Sequence, residues 1–562
     1  MKKLYLQYLQ LHSMYGETGE ILITLDELAA ALMCTHRNMQ LILNRMKEKG
    51  WISWIPTRGR GRRSQLLFHA SPEEMALQLF MKFVTHTDIQ HIIDQISRHS
   101  HSSEFDERIQ QWLLSYFGHS STLINRKLVD ILRLPIGQRI HTLDPIYTNL
   151  LAESFISSHV FDGLVKRDEH SSNIIPHVAH TWEIDHNQKR WTFFLRKGVT
   201  FHNGQQLDAE DVVFTIGRLL RSNHMMLYRS IFSHISSVYA SDSLTVHIEL
   251  QQQNELFLPF LCTNQAAIVP KQLAGIQAHL FGTHPIGSGP FKLVEMNEGT
   301  CALEVFPQYY KGRSHLDRVE IVHIPFEDHR SHHMSKPLFQ VIHNPQSNVY
   351  EGDAWSQIHS SITTRKFITC NTQKSGPLND YSHRNELFRC LQGGVGVNMM
   401  APEHTVKLQL TVSTIEQYKL DADILTHTLS KFGHICHVIL VSPEDFKGSV
   451  RLESDLILFS SIRDQDEQLR LYDLYSTLTE HVDAHTRTDI HRKLQRICQE
   501  PDSKRRAQYY QEIENQLIQE KLLYILSEKP IQTAFLPSVR GVTMNTHGWI
   551  DLRSIWFPPN PS

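Results

Sequence analysis

Two short apolar runs, WISWI and QLLF, flank the turn PTRGRGRRS, which packs Arg58, Arg60, Arg62 and Arg63 around two glycines. Such a stretch can fold only as a hairpin with a solvated or counter-charged tip, because guanidinium groups are not buried unpaired. The glycines let the turn bend, and the arginines suit phosphate or a minor groove. What precedes the hairpin is helical. Leu4, Leu6, Tyr8, Leu9 and Leu11 give a first helix an apolar side. Thr24 followed by Glu27 forms a capping box that opens a second helix, LDELAAAL. After a turn at Met33 and Cys34, Thr35 N-caps a third helix, HRNMQLILNRMKEK, which Gly50 stops. Met39, Ile42, Leu43 and Met46 recur at helical spacing and should face a core, leaving His36, Arg37, Gln40 and Asn44 on the opposite stripe.

Two short helices, a tight turn and a basic hairpin make a winged helix-turn-helix over residues 1–70. Its third helix should enter a major groove by the N-terminal half. Arg37 and Gln40 suit base edges, Thr35, His36 and Asn44 can position on phosphate or bases, and Arg58, Arg60, Arg62 and Arg63 form the wing. Charge agrees. Residues 1–70 hold ten Lys+Arg against five Asp+Glu, while the rest of the 562 residues holds 46 against 54. A basic head on an acidic body is the asymmetry expected when one end meets duplex DNA. A small helical packing module with a solvated basic loop is the competing reading. RNA fits less well, since no aromatic stacking platform is present.

A chain this long needs more than one core. With 41% hydrophobic and 20% charged residues it is globular rather than disordered. The seven cysteines are odd in number and form no CxxC, which argues for reduced thiols and against a disulfide framework or zinc site. Gln7, Gln10 and His12 interrupt the apolar N-terminus, so it does not read as an export signal, and no apolar run is long enough to span a bilayer. A cytoplasmic location without membrane contact is expected. His323, His329, His332, His333 and His343 lie close in sequence, but without a ligand framework they read as loop histidines, and neither metal nor cofactor is expected.

Residues 71–122 alternate between amphipathic helices, built on Met75, Leu79, Phe83, Ile89, Ile92, Ile93 and Ile96, then on Phe105, Ile109, Trp112 and Tyr116, with Gly118 ending the run. A helical bridge of this kind either packs against the head or pairs two subunits as a homodimer. From residue 123 onward short strands and helices mix in the pattern of an α/β protein. WTFFLRKGVTF alternates and breaks at His202-Asn203-Gly204. LDAEDVVFTIGRLL follows as a helix with Asp208, Glu210 and Asp211 in its first turn.

The run from Pro176 to Leu220, with HPIGSGPFKLVEMNEGTCALEVFPQYYKG and KLQLTVSTIEQYKLDADIL, resembles the family 5 extracellular solute-binding proteins. That resemblance implies a type II periplasmic-binding-protein-like body over residues 123–562, two lobes closing on a solute. The whole arrangement, with the tail GVTMNTHGWIDLRSIWFPPNP, resembles the SgrR family of transcriptional regulators. It implies a DNA-binding regulator controlled by a small polar solute such as a sugar phosphate or short peptide. In peptide-binding relatives an aspartate in a W-x-A-D-Y-like loop pairs with the ligand's amino group, and Asp464 falls there. Ser461, Arg463 and Gln465 depart from the pattern, so Asp464 reads either as a ligand contact or as a surface charge. Tyr147, Thr148 and Asn149 follow a strand where relatives line the pocket, or else form a solvent-facing tip. The rival function is the solute- or peptide-binding subunit of an ABC importer. No enzyme is expected. Ser288 in Gly287-Ser288-Gly289 is not a nucleophile elbow, and no phosphate-binding glycine loop occurs.

Overall fold

The structure is a computed structural model. It describes residues 2–16, 20–57, 63–72, 116–124, 126–136, 138–168, 173–222, 226–297, 299–323, 341–343, 356–393, 406–463, 466–535, 539–544 and 550–558, with 74, 75, 78 and 171 between them. The chain divides into two compact units. The first comprises Met1–Arg139, Glu295–Ala302 and Arg318–Gln340; the second comprises Ile140–Val294, Leu303–Asp317 and Val341–Ser562.

In the first unit, helix α1 (Lys2–Tyr15) buries Leu4, Tyr5, Tyr8, Leu9 and Leu11. Strand β1 (Glu20–Ile23) leads into α2 (Leu25–Ala31). Thr24 caps α2 reciprocally: its hydroxyl accepts the Glu27 N–H, and the Glu27 carboxylate accepts the Thr24 N–H at 2.8 Å. Met33 takes a left-handed turn conformation, and α3 (His36–Glu48) follows with Thr35 as N-cap. Strands β2 (Ile52–Ile55) and β3 (Ser64–Phe68) pair antiparallel. The sheet has three strands in the order β1-β3-β2, one more than the hairpin anticipated. Glu-Ile-Leu-Ile is too short to show an alternation, and it becomes a strand because β3 offers it an edge. Rings of Tyr5, Tyr8, Trp51 and Phe68 lock α1 to the sheet, with Tyr5 and Trp51 centred 4.6 Å apart.

Of the expected bridge, Met75 is buried, while residues 79–115 lie outside the described residues. Gly118, at φ +100°, leaves the helical conformation and opens β4 (Gly118–Ile124), which pairs antiparallel with β5 (Lys127–Ile136). Both strands fall in the first unit. GHSSTLI carries too few apolar residues to announce a strand.

The chain continues through α4 (Leu151–Val160), β6 (Val165–Arg167), β7 (Ile174–Pro176), β8 (Ala179–Ile184), β9 (Arg190–Leu195) and α5 (Ala209–Arg221). Asp208 is the N-cap of α5 rather than part of its first turn, accepting from the N–H groups of Glu210 and Asp211. Next come β10 (Ile235–Asp242), β11 (Thr245–Leu250), β12 (Phe291–Met296), β13 (Thr300–Val305), β14 (Arg318–His323) and β15 (Val341–His343). The final stretch is β16 (Ser356–Cys370), α6 (Tyr381–Gly393), β17 (Gln409–Thr414), α7 (Lys419–Ser430), β18 (Ile435–Leu440), β19 (Leu456–Arg463), α8 (Glu467–Leu478), α9 (Ala484–Gln499), α10 (Ser503–Gln519) and β20 (Leu523–Phe535).

These strands form sheets ordered β12-β13-β14-β5-β4, β10-β11-β9-β8 and β15-β20-β16-β19-β17-β18, plus the β6-β7 ribbon. KLQLTVSTIEQYKLDADIL opens the parallel β17-α7-β18 unit. Alternate residues of β16 serve opposite layers. Phe367 joins the large core of Phe193, Phe201, Phe257, Phe260 and Tyr475, while Ile368 joins a second core with Leu387, Leu410, Leu425 and Leu458.

Two glycines of the conspicuous motifs are needed for different reasons. Gly204 sits at φ +85° in an open turn, whereas a Cβ on Gly287 would lie 1.9 Å from the Val160 carbonyl oxygen. Gly204→Ala should therefore cost about 1 kcal/mol, the usual penalty of a left-handed conformation. Gly287→Ala should cost more, because backbone must move. Paired thermal denaturation of the two variants checks the order.

A basic helix face and a buried polar pocket

On the head, Met39, Ile42, Leu43 and Met46 point inward from α3, with 5% exposure or less. Thr35, His36, Arg37, Gln40 and Asn44 are all exposed. Carboxylates from the start of α2 reach this surface. The His36 ring contacts Asp26, and Arg63 stands 3.7 Å from Glu27. Hydrogen bonds from the N–H and hydroxyl of Thr24 hold the Glu27 carboxyl below its ordinary range. Arg63 is exposed next to β3, while Arg58, Arg60 and Arg62 lie outside the described residues.

The second unit holds a pocket that sequence reasoning did not find. Its wall begins where α4 ends, at Ser158 and His159, and continues through Phe161, Asp162, Gly163, Lys166 and Arg167. His177, Cys262, Asn264, Pro290, Asp551 and Arg553 complete it around roughly 100 Å³ of open space. Local backbone contacts explain the convergence. The N–H of Gly289 donates to Val160 O at 2.9 Å, that of His177 to Leu164 O, and that of Ile268 to Asp162 O. His159 ties in the distant C-terminal segment: Nδ1 donates to Phe155 O at 2.8 Å, and Nε2 accepts the Leu552 N–H at 3.1 Å.

The pocket's electrostatics are uneven. Arg553 grips Asp551. Burial works to raise the Asp551 carboxyl, but His159 and Arg553 outweigh it and hold it far below the usual range. Asp162 has no such partner. Its Oδ1 accepts the Tyr309 hydroxyl at 3.2 Å and lies 3.5 Å from His177 Nε2, while Oδ2 makes no hydrogen bond. Burial pushes Asp162 up to about 7, against the pull of Lys311 and Arg553. Burial, with the charges of Lys311, Lys166 and Arg553, holds His177 well below the ordinary histidine value. Partial desolvation and neighbouring Lys166 bring Lys311 down to about 8.

Tyr147, Thr148 and Asn149, read from sequence as cleft contacts, are not among the residues lining this pocket. Tyr147 is exposed. Thr148 is fully buried and donates its hydroxyl to Pro145 O. Asn149 accepts from the Lys447 ammonium. Asp464 lies outside the described residues, but its neighbour Asp466 is buried and pairs with Arg167 at 2.7 Å. His329, His332 and His333 also lie outside the described residues. No helix among the described residues is long and apolar enough to cross a membrane.

Solved structures share this architecture. A dipeptide-binding protein from Pseudoalteromonas sp. SM9913 in complex with Met-Leu superposes with a TM-score of 0.63 at 17% identity, covering 76% of this chain and 100% of its own. AgaA of A. tumefacien R10, in complex with agropinic acid, gives 0.63 at 18% identity, covering 77% and 99%. The body is therefore a two-lobed solute-binding-protein fold. Residues 173–384 match the model of bacterial extracellular solute-binding proteins, family 5 (middle), and residues 3–120 match that of the sugar transport-related sRNA regulator N-terminus. In this arrangement the chain is similar to SgrR-type regulators. It is 28% identical to the uncharacterised protein YhjP of Bacillus subtilis (strain 168), across 97% of both chains. It is 26% identical to the HTH-type transcriptional regulator SgrR of Pectobacterium atrosepticum, across 97% of this chain and 96% of that one.

A raised carboxyl in the folded state stabilises the fold below the unfolded value, and that stability is lost as pH rises through the folded value. For Asp162 the window runs from about 4 to about 7. Asp162→Asn removes it. The variant should gain stability relative to the parent between pH 4.5 and pH 8, by on the order of a few kcal/mol. Chemical denaturation of both proteins at the two pH values measures the change.

Proposed function

We propose that the chain is a DNA-binding transcriptional regulator of the cytoplasm whose activity responds to a small polar solute held by its C-terminal unit. The observation that carries this reading is the division of α3 into two stripes. One is sunk in the core, and the other presents Arg37, Gln40 and Asn44 to solvent on a helix of groove-entering length. The HTH-type transcriptional regulator SgrR of Pectobacterium atrosepticum supports it across 97% of the chain. Thr35 and His36 sit at the N-terminal end, where helix amides favour phosphate. Arg58, Arg60, Arg62 and Arg63 are the proposed wing contacts to phosphate. The head packs through its own apolar core, so DNA contact needs no rearrangement of α3. Matches to regulator and solute-binding domains favour recognition rather than turnover. A sugar phosphate or a short peptide remains the solute class implied by the family resemblance, and Tyr147, Asn149 and Asp464 stay as proposed cleft contacts. The helical region 71–122 is the proposed bridge and dimerisation surface.

Two sets of variants should separate the roles. Replacing Arg60, Arg62 and Arg63 by Ala should weaken binding to every duplex and reduce the slope of log affinity against log salt, by roughly 0.9 for each phosphate no longer neutralised. Gln40→Ala should leave the slope intact and cost about 1–3 kcal/mol of preference for the best promoter fragment over random duplex. Fluorescence anisotropy across a salt series reads both. An unchanged slope in the triple variant removes the wing, and the absence of any sequence preference in the parent removes the regulator.

A further inference from the structure

One apolar side chain interrupts the polar face of α3. Leu41 is 52% exposed there. At about 100° per residue, the buried stripe of Met39, Ile42, Leu43 and Met46 fixes which line of the helix is outermost. Leu41 lies about 30° from that line, nearer to it than Gln40 at about 70°. Arg37 and Asn44 flank Leu41 along the same face, one turn before and one turn after. Leu41 is also the sixth of the 13 residues of α3, within the half expected to enter a groove.

Its neighbours on that face are unengaged. Among the described residues, no hydrogen bond or ion pair holds the side chain of Arg37, Gln40 or Asn44. Solvated helices of the second unit are built differently. Arg389 pairs with Glu386 on α6, Lys419 with Asp423 on α7, and Lys493 with Asp489 on α9. Such pairs three or four residues apart are how an exposed helix satisfies itself. A leucine exposed on its own is ordinary. Leu41 instead sits amid free donors and acceptors, on the line of α3 that projects furthest. The floor of a major groove has the matching composition. Base edges there present N–H and oxygen or nitrogen acceptors, and the one apolar group among them is the thymine C5-methyl.

We propose that Leu41 is a specificity-determining residue that packs on the C5-methyl group of a thymine in the major groove. The inference rests on the proposed DNA-binding role of the head and adds to it the base that one side chain selects. Selection works in both directions. Leucine gains apolar contact from thymine. It offers no partner to guanine O6 and N7 or to the cytosine amino group, so a G·C pair at that place would lose water without compensation.

The experiment uses the full chain and duplexes that it selects from a randomised pool. Each thymine of a selected duplex is replaced singly by deoxyuridine, which deletes the methyl group and keeps the base pair. Fluorescence anisotropy at fixed salt should show at least one position where affinity falls about fourfold, the worth of one buried methyl-sized group. Leu41→Ala should bind the thymine and deoxyuridine duplexes equally at that position, with the parent's salt slope and an unchanged melt. Leu41→Met, which keeps apolar reach, should retain the discrimination. Selected duplexes in which no thymine is sensitive overturn the proposal, as does a full methyl effect surviving in Leu41→Ala. In both cases the parent's sequence preference still supports the regulator. Selection of no sequence at all overturns the regulator and this inference with it.

Discussion

The pocket exists because a glycine loop lies flat against the end of a helix. Gly287 and Gly289 approach the carbonyls of His159 and Val160 so closely that a Cβ on either would sit 1.9 or 2.6 Å from an oxygen. The Gly289 N–H satisfies Val160 O, one of the carbonyls that a helix end leaves open. His202 fastens the other side of the loop. Its Nδ1 accepts the Gly287 N–H, and its Nε2 donates to Gly289 O at 3.0 Å. Both ring atoms are used with the imidazole neutral, and burial lowers its affinity for a proton to about 4. The HNG and GSG motifs are thus two halves of one clamp. With the clamp closed, Phe161-Asp162-Gly163 leaves the helix in a single direction, and the polar wall follows.

This explains what could and could not be read from the chain. Patterns confined to a few turns were legible. The Thr24–Glu27 box, the Thr35 cap and the inward stripe of α3 depend on spacing within one element. The turn character of His202-Asn203-Gly204 and Gly287-Ser288-Gly289 was legible too, but not that each needs the other. Strand β1 was hidden because four residues carry no period, and it exists only through β3. The pocket was hidden for a stronger reason. Asp162, His177 and Arg553 come from positions spanning nearly four hundred residues, and none belongs to a repeating face. Asp162 in FDGLV reads locally as a turn residue. Only the burial of a carboxylate with one oxygen unsatisfied marks it out, and burial is a property of the tertiary structure.

Energetics distinguish this cluster from the ordinary ion pairs of the fold. Buried Asp144 and half-buried Arg218, by contrast, meet in a two-point contact at 2.7 and 3.1 Å that fixes the loop before α4 onto α5. Arg133 donates to Glu320 at 2.6 Å and so links β5 and β14. Those pairs are complete, and removing one member would leave the other stranded. Asp162 and His177 stand 3.5 Å apart without such a two-point contact, and Asp162 keeps the Tyr309 hydroxyl on Oδ1 while its Oδ2 has no hydrogen-bond partner. A fold is rarely stable by more than about 5–15 kcal/mol. Retaining several unsatisfied groups against that margin fits a binding wall better than a structural core, because the penalty is recovered when a partner arrives.

On the proposed reading, the same penalty sets how strongly a solute could bias DNA binding. A solute shifts the head only as far as it prefers one state of the chain over another, and coupling between sites is typically about 1–3 kcal/mol. Satisfying two or three orphaned polar atoms in one state and not the other supplies a difference of that size. Tight binding to a pocket already complete in both states would supply none. An incomplete pocket is therefore the more useful one for a regulator. The feature that weakens the empty protein is also what gives the solute leverage, and reciprocity requires DNA to change the solute's affinity by the same factor.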